Sequence, residues 1–115
     1  MMNIKRGAIV LTDFDPTKGS EIQKIRPAIV VSNDLANAKS SLLTVVPLTS
    51  KRLERIFPFE VFIEHAFGLT KPSKALCDQI RSIDKHRVKN LLGKVPAASM
   101  KQIDAALALH LDLIE

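Results

Sequence analysis

The sequence predicts a small, mainly β (α+β) domain: an antiparallel barrel with short helices, closed by an amphipathic helix at the C-terminus. Three observations predict this fold. Stretches rich in β-branched residues recur before Pro96, no helix-length pattern separates the first three of them, and the hydrophobic period changes to three and four residues after Pro96. Without intervening helices, antiparallel pairing is favoured over parallel crossovers.

A polar loop separates the first two predicted strands. Residues 7–14, GAIVLTDF, alternate and are rich in β-branched side chains, which indicates a strand. Pro16 and Gly19 in DPTKGS then end it. PAIVVSN, residues 27–33, is the second predicted strand, because a proline at the first position of a strand removes no ladder hydrogen bond.

The middle of the chain predicts one helical turn and four more strands. The turn is NDLANA, with Asn33 or Asp34 as its cap. A third strand, SLLTVVPL, is expected to end near Pro47. The next strand is residues 57–63, FPFEVFI, and two shorter candidates follow it: ALCDQIRSI and HRVKNLLGKV.

The last segment has the period of an amphipathic helix. Apolar residues recur there at steps of three and four, and this predicts a helix from about residue 97 with one buried face. The residues of that face are Met100, Ile103, Leu107, Leu111 and Ile114.

Length and composition indicate one cytoplasmic domain, residues 1–115, without a cofactor or metal. A chain of 115 residues suffices for one core, and no apolar run is long enough to span a bilayer. The single cysteine, Cys77, excludes an internal disulfide and a cysteine-rich zinc site, and it fits a reducing cytosol. No histidine pair has ligand spacing, and there is no glycine-rich phosphate loop.

The charge balance favours a polyanionic partner. Seventeen Lys and Arg against 12 Asp and Glu give a net charge of +5 and a pI near 9.6. The cations fall in three predicted loops and are expected to gather on one rim: Lys18 and Lys24, then Lys51, Arg52 and Arg55, then Lys71 and Lys74. The absence of Trp and Tyr argues against a base-stacking platform.

Polar residues beside the predicted strands are the candidates for chemistry. Arg26 precedes one strand, Thr49 follows another, and the two types together suit a phosphate, because a guanidinium binds it bidentately and a hydroxyl adds one donor. Each also has an ordinary role, which residue chemistry alone favours. Thr49 can make a turn bond, Asp78 can pair with Arg81 at the surface, and Glu21 can be solvated.

Several strings in order resemble one family. RGAIVLTDFDPTKGSE, RPAIVVSN, VVPLTS, FPFEV, CDQIRSID and LGKV are similar to the MazF/PemK toxins, the endoribonuclease half of bacterial toxin–antitoxin pairs. The similarity runs from about Lys5 to the C-terminal helix. It implies an SH3-like barrel of the CcdB/MazF type, a homodimer, metal-independent and sequence-specific cleavage of single-stranded RNA, and inhibition by the disordered acidic and apolar tail of a cognate antitoxin.

The resemblance also implies site residues. The family's catalytic arginine and threonine fall on Arg26 and Thr49, and its carboxylates fall on Glu21 or Asp78. The predicted RNA-binding residues are Lys18, Ser20, Lys24, Lys51, Arg52, Arg55 and Gln79. The chain departs from the family in three places: Ser20 replaces a histidine found in one branch, Leu76 replaces an arginine, and Ile25 replaces a small residue.

The metal-independent RNA cleavage that the resemblance implies yields 2′,3′-cyclic phosphate and 5′-hydroxyl ends. Arg26 and Thr49 would stabilise the phosphate charge, and a carboxylate would take the 2′-hydroxyl proton, with Glu21 the first candidate and Asp78 the second. Two alternatives remain open at the level of the sequence. One is a CcdB-like, non-enzymatic gyrase poison on the same fold. The other is an RNA-binding module that has lost activity, which Ser20 and Leu76 would favour.

Overall fold

The computed structural model describes residues 3–14 and 25–113, and in this part of the chain the sheet dominates. Two helices accompany it, and short 3-10 turns cover Cys77–Gln79 and Lys85–Arg87. The strands are β1 (Ala8–Asp13), β2 (Ile25–Val30), β3 (Leu42–Thr49), β4 (Glu60–Ile63), β5 (Ser73–Leu76), β6 (Arg81–Asp84) and β7 (Val88–Lys94). The helices are α1 (Asp34–Lys39) and α2 (Ala97–His110).

The predicted antiparallel, sheet-dominated fold is confirmed, but the predicted closure of the barrel is wrong. The strand order is β4-β5-β3-β2-β1-β7, all neighbours are antiparallel, and β6 pairs with β3. Among the described residues no ladder joins β4 to β7. The β4–β5 loop contacts β7 instead: a Cβ added to Gly68 would lie 2.1 Å from the Leu92 carbonyl oxygen. The two backbones are too close to leave room for a side chain.

Most predicted elements are confirmed, with shifted boundaries. β3 continues through Pro47 to Thr49, because Pro47 is the last residue of β3 that pairs with β2, and Leu48 pairs with β5. β4 begins only at Glu60, since the Glu60 N–H donates to the Phe57 carbonyl at 2.8 Å and makes the preceding residues a turn. The predicted strand ALCDQIRSI is divided into β5 and β6 by the 3-10 turn.

Both predicted helices are present. Asn33 caps α1, with its side-chain oxygen accepting from the Ala36 N–H at 2.8 Å. In α2 the buried residues are Met100, Ile103 and Ala106. Leu111 was predicted on the buried face, but it follows the last helical residue and is 48% exposed. Leu107 is only partly buried, and Ile114 lies outside the described residues.

Two apolar clusters occupy the two faces of the sheet. Ile9 and Ile29 belong to the larger cluster, which also includes Met100 and Ile103 of α2. Their chain neighbours Val10 and Val30 belong to the second cluster. The alternation of strand side chains produces this division. None of the described helices is long and apolar enough to cross a membrane.

Candidate active site

A groove of about 370 Å³ lies where β2 begins and β3 ends. β2 contributes Arg26, and β3 contributes Thr49. The ladder between these strands covers Ala28–Val30 and its partners Val45–Pro47, so Arg26 and Thr49 each lie two residues beyond the last pair. The other lining residues are Ile25, Pro27, Leu48, Ser50, Lys51, Leu69, Thr70, Lys71 and Ser73.

Thr49 makes the turn bond that its residue type predicts and still has a proton to donate. Its Oγ1 accepts a hydrogen bond from the Lys51 N–H at 3.2 Å. An accepted bond uses a lone pair of the hydroxyl and leaves its O–H free to point elsewhere. The bond also places the Lys51 backbone beside Thr49, and Lys51 lines the same groove. The ordinary and the functional role of Thr49 are therefore compatible.

Arg26 brings a positive charge to the groove. It is half-buried on β2, opposite Thr12 of β1. Within residues 3–14 and 25–113, Arg26 forms no ion pair. Leu48 and Leu69, both buried, are among the residues that line the groove. Apolar surroundings strengthen the attraction between a cation and an anionic ligand.

The cations of the predicted rim that the structure describes separate into three groups. Lys51 and Lys71 line the groove. Arg52 and Arg55 are exposed in the β3–β4 loop but do not line it. The rim prediction is wrong for Lys74, which lies in β5 and is buried in an ion pair with Glu60 at 3.0 Å.

Asp78 and Gln79 lie apart from the groove lining, in the 3-10 turn after β5. Asp78 and Gln79 are both exposed, so their side chains face away from the core. Arg81 does not pair with Asp78 among the described residues, and its guanidinium lies instead 5.2 Å from the centre of the Phe14 ring. Four other predicted residues, Lys18, Ser20, Glu21 and Lys24, lie outside the described residues.

Cys77 is not a nucleophile candidate. Burial, followed by the nearby carboxylates of Asp78 and Glu60, raises the pKa of its thiol to about 12. The thiol therefore stays protonated at neutral pH, and only the thiolate is strongly nucleophilic. No group of three or more His, Cys, Asp or Glu that could hold a metal ion occurs in the described parts of the chain.

Comparison with known proteins identifies the family. Residues 5–111 match the model for the PemK-like, MazF-like toxin of type II toxin–antitoxin systems. The chain belongs to this toxin family. Endoribonuclease MazF9 of Mycobacterium tuberculosis is 45% identical to this chain over an alignment of 116 positions, which covers 96% of this chain and 98% of the relative.

Two solved structures are similar to this MazF-like toxin in fold. An endoribonuclease in complex with its cognate antitoxin, from a mycobacterial species, has a TM-score of 0.81 and 28% identity and covers 97% of this chain and 98% of its own. A MazE–MazF structure from Deinococcus radiodurans has a TM-score of 0.82 and 28% identity over 99% and 100% of the two chains. These matches give no support to the gyrase-poison alternative.

Besides β2 and β3, a third segment lines the groove, and the sequence did not predict it. Leu69, Thr70 and Ser73 come from the β4–β5 loop and the start of β5. The Ser73 hydroxyl donates to the Lys71 carbonyl at 3.1 Å and so fixes the turn that leads into the strand. Nothing local marks these residues, since threonine and serine are ordinary loop residues and Leu69 is a single apolar residue. Only the packing of the loop beside β3 brings them to Arg26.

Proposed function

We propose that this chain is the endoribonuclease of a type II toxin–antitoxin pair and that it cuts single-stranded RNA at the groove of Arg26 and Thr49. The observation that carries the proposal is that these two side chains, from different strands, line one groove together with Lys51 and Lys71. The similarity to a relative named as an endoribonuclease supports the reaction type. We place the activity in the cytoplasm, because RNA is found there and its reducing conditions keep a single thiol such as that of Cys77 reduced.

The proposed reaction is an internal phosphoryl transfer. The ribose 2′-oxygen attacks the adjacent phosphorus while its proton passes to a carboxylate. The bond from phosphorus to the 5′-oxygen breaks, and that oxygen takes a proton from solvent, while the carboxylic acid returns its proton to solvent. The products are a 2′,3′-cyclic phosphate and a 5′-hydroxyl. Arg26 binds two phosphate oxygens and Thr49 donates to the developing charge, without a metal ion.

A carboxylate suits the base role better than Arg26, because a guanidinium remains protonated at neutral pH. Glu21 is our first assignment, since it belongs to the segment between Phe14 and β2, which leads directly into Arg26. Asp78 is the second, and its position away from the groove lining counts against it. If Glu21 is the base, Glu21→Gln removes the acidic limb of the pH–rate profile. If Asp78 is the base, Asp78→Asn removes it.

The remaining cations are proposed to follow the RNA backbone on either side of the groove. Lys51 and Lys71 are in the wall, and Arg52 and Arg55 extend from the neighbouring loop. Lys18, Ser20, Lys24 and Gln79 complete the proposed set. We also propose that two copies form a homodimer and that a cognate antitoxin binds with an acidic and apolar tail. Similar structures are described as complexes with an antitoxin, which supports the antitoxin partner.

The deciding experiment is cleavage of a mixed-sequence single-stranded RNA by the purified chain in excess EDTA, with the new ends identified by mass spectrometry. We expect discrete fragments that end in a cyclic phosphate, and no fragments with Arg26→Ala. Intact RNA combined with growth inhibition would instead support the gyrase poison. Intact RNA that remains bound to the chain would support the inactive binding module.

A further inference from the structure

Lys74 and Glu60 form a buried ion pair beneath the β3–β4 loop. Their side chains are only 5% and 8% exposed, and the Lys74 Nζ lies 3.0 Å from the Glu60 Oε1. The same Nζ donates to the carbonyl oxygens of Arg52 at 3.0 Å and Arg55 at 2.9 Å. An ammonium has three protons, so each of them has one acceptor here.

Glu60 forms hydrogen bonds with the second half of the same loop. Its Oε1 accepts from the Phe57 N–H at 2.9 Å, and its own N–H donates to the Phe57 carbonyl at 2.8 Å. The loop is thus attached to the sheet at Arg52, Arg55 and Phe57. Arg52 has a φ of +57°, a left-handed conformation that non-glycine residues adopt at a cost, and the bond from Lys74 to its carbonyl holds it there.

The pair also connects this loop to the catalytic groove. Lys74 is the β5 partner of Thr49 in the ladder between β3 and β5. The loop begins directly after Thr49 with Ser50 and Lys51, both of which line the groove, and its exposed arginines follow. Lys74 is therefore bonded to the backbone of the loop that carries Lys51, Arg52 and Arg55, and it is also the ladder partner of Thr49.

We propose that Lys74 and Glu60 are positioning residues that hold the β3–β4 loop so that Lys51, Arg52 and Arg55 meet the RNA backbone. This rests on the proposed function in that the ligand is single-stranded RNA. A need for fold stability alone explains the pair poorly, because a buried ion pair can commonly be replaced by apolar side chains without loss of stability. What such a replacement removes here is the attachment of two loop carbonyls and one amide.

The test is the double variant Lys74→Met/Glu60→Met, which keeps the net charge and fills the site with apolar side chains. We expect KM for RNA to rise about tenfold with kcat within about twofold of the parent, because the loop cations bind substrate and transition state alike. With a non-cleavable 2′-O-methyl RNA, the slope of log affinity against log salt should become shallower by about 0.7 for each phosphate that the loop no longer neutralises. The Phe57 amide should also exchange with deuterium faster.

Two further variants serve as controls. Lys39→Gln, at an exposed position of α1 away from the groove, changes the net charge and should leave the salt slope and KM unchanged. Lys74→Met/Glu60→Gln retains an acceptor for the Phe57 amide and should recover part of the affinity.

Unchanged KM, slope and Phe57 exchange in the folded double variant would overturn the positioning role, as would loss of folding in both double variants. Failure of the proposed nuclease is seen separately, as absence of cleavage by the parent, while the non-cleavable RNA still reports on the loop.

Discussion

Arg26 and Thr49 line the same groove from neighbouring strands, and neither residue is part of the ladder between those strands. The β2–β3 ladder ends at the pair Ala28 and Pro47. Each of the two side chains therefore lies two residues past the end of a ladder that fixes its strand. Donors held on rigid strands suit electrostatic stabilisation of a transition state, because they need no reorganisation during the reaction.

Removal of either groove donor should nearly abolish cleavage. We expect Arg26→Ala and Thr49→Ala each to lose about 3–4 kcal/mol of transition-state stabilisation, and the double variant to lose less than the sum, since both act on one charge. Arg26→Lys should also be slow, because it lacks the planar fork. Single-turnover cleavage measures these losses, and thermal unfolding checks that the variants remain folded. Parent-like cleavage by Arg26→Ala would refute the site assignment.

The two candidate bases should separate in their pH profiles. We expect Glu21→Gln to lower kcat/KM by about 10²–10⁴-fold and to remove the acidic limb of its pH dependence. Asp78→Asn should retain the limb, because Asp78 does not line the groove. The measurement is kcat/KM from about pH 4 to pH 9 for the three proteins, a range that brackets carboxylate titration. The reverse pattern would transfer the base role to Asp78.

RNA affinity should fall steeply with salt through the loop cations. Lys51→Ala/Arg52→Ala should reduce the slope of log affinity against log salt by about 1.4, if each residue neutralises one phosphate of a single strand at about 0.7 each. Fluorescence anisotropy with a non-cleavable RNA measures the slope. Lys39→Gln is the control for net charge. A slope equal to that of the parent would show that these side chains do not contact phosphates.

Cys77 should be unreactive in the folded protein. Its pKa of about 12 keeps it protonated, so iodoacetamide at neutral pH should label it only after unfolding. A folded-state pKa above the unfolded value means that the folded state holds the proton more tightly. The stabilisation from this group is therefore complete below about pH 9 and is lost as the pH rises towards about 12. Labelling of the native protein at neutral pH would contradict this.

Gly68 and Gly7 provide a matched pair for the contact between the β4–β5 loop and β7. Both have a positive φ, +95° and +94°, but an added Cβ meets the Leu92 carbonyl oxygen at 2.1 Å at Gly68, whereas the nearest atom at Gly7 lies 3.6 Å away. Gly7→Ala should cost about 1–2 kcal/mol through its backbone alone. Gly68→Ala should cost about 1–3 kcal/mol more through overpacking. Equal losses in denaturant unfolding would show that the loop yields easily.

The sequence by itself determined the features that depend on near neighbours in the chain. Strand alternation in β1 and the cap of α1 at Asn33 need only a few adjacent residues, and both are present. The assignment of Arg26 and Thr49 also came from the sequence, through resemblance to a toxin family. Residue chemistry alone favoured an ordinary turn role for Thr49, and that turn bond also exists.

Only the tertiary structure decided which surfaces meet. Lysine is usually a surface residue, yet Lys74 is buried. β5 brings it beneath a distant loop, where two loop carbonyls and Glu60 accept its three protons. The open ends of the sheet and the exposure of Leu111 are of the same kind. The physical reason is that a side chain's burial depends on partners supplied by other elements, and a local pattern does not specify those partners.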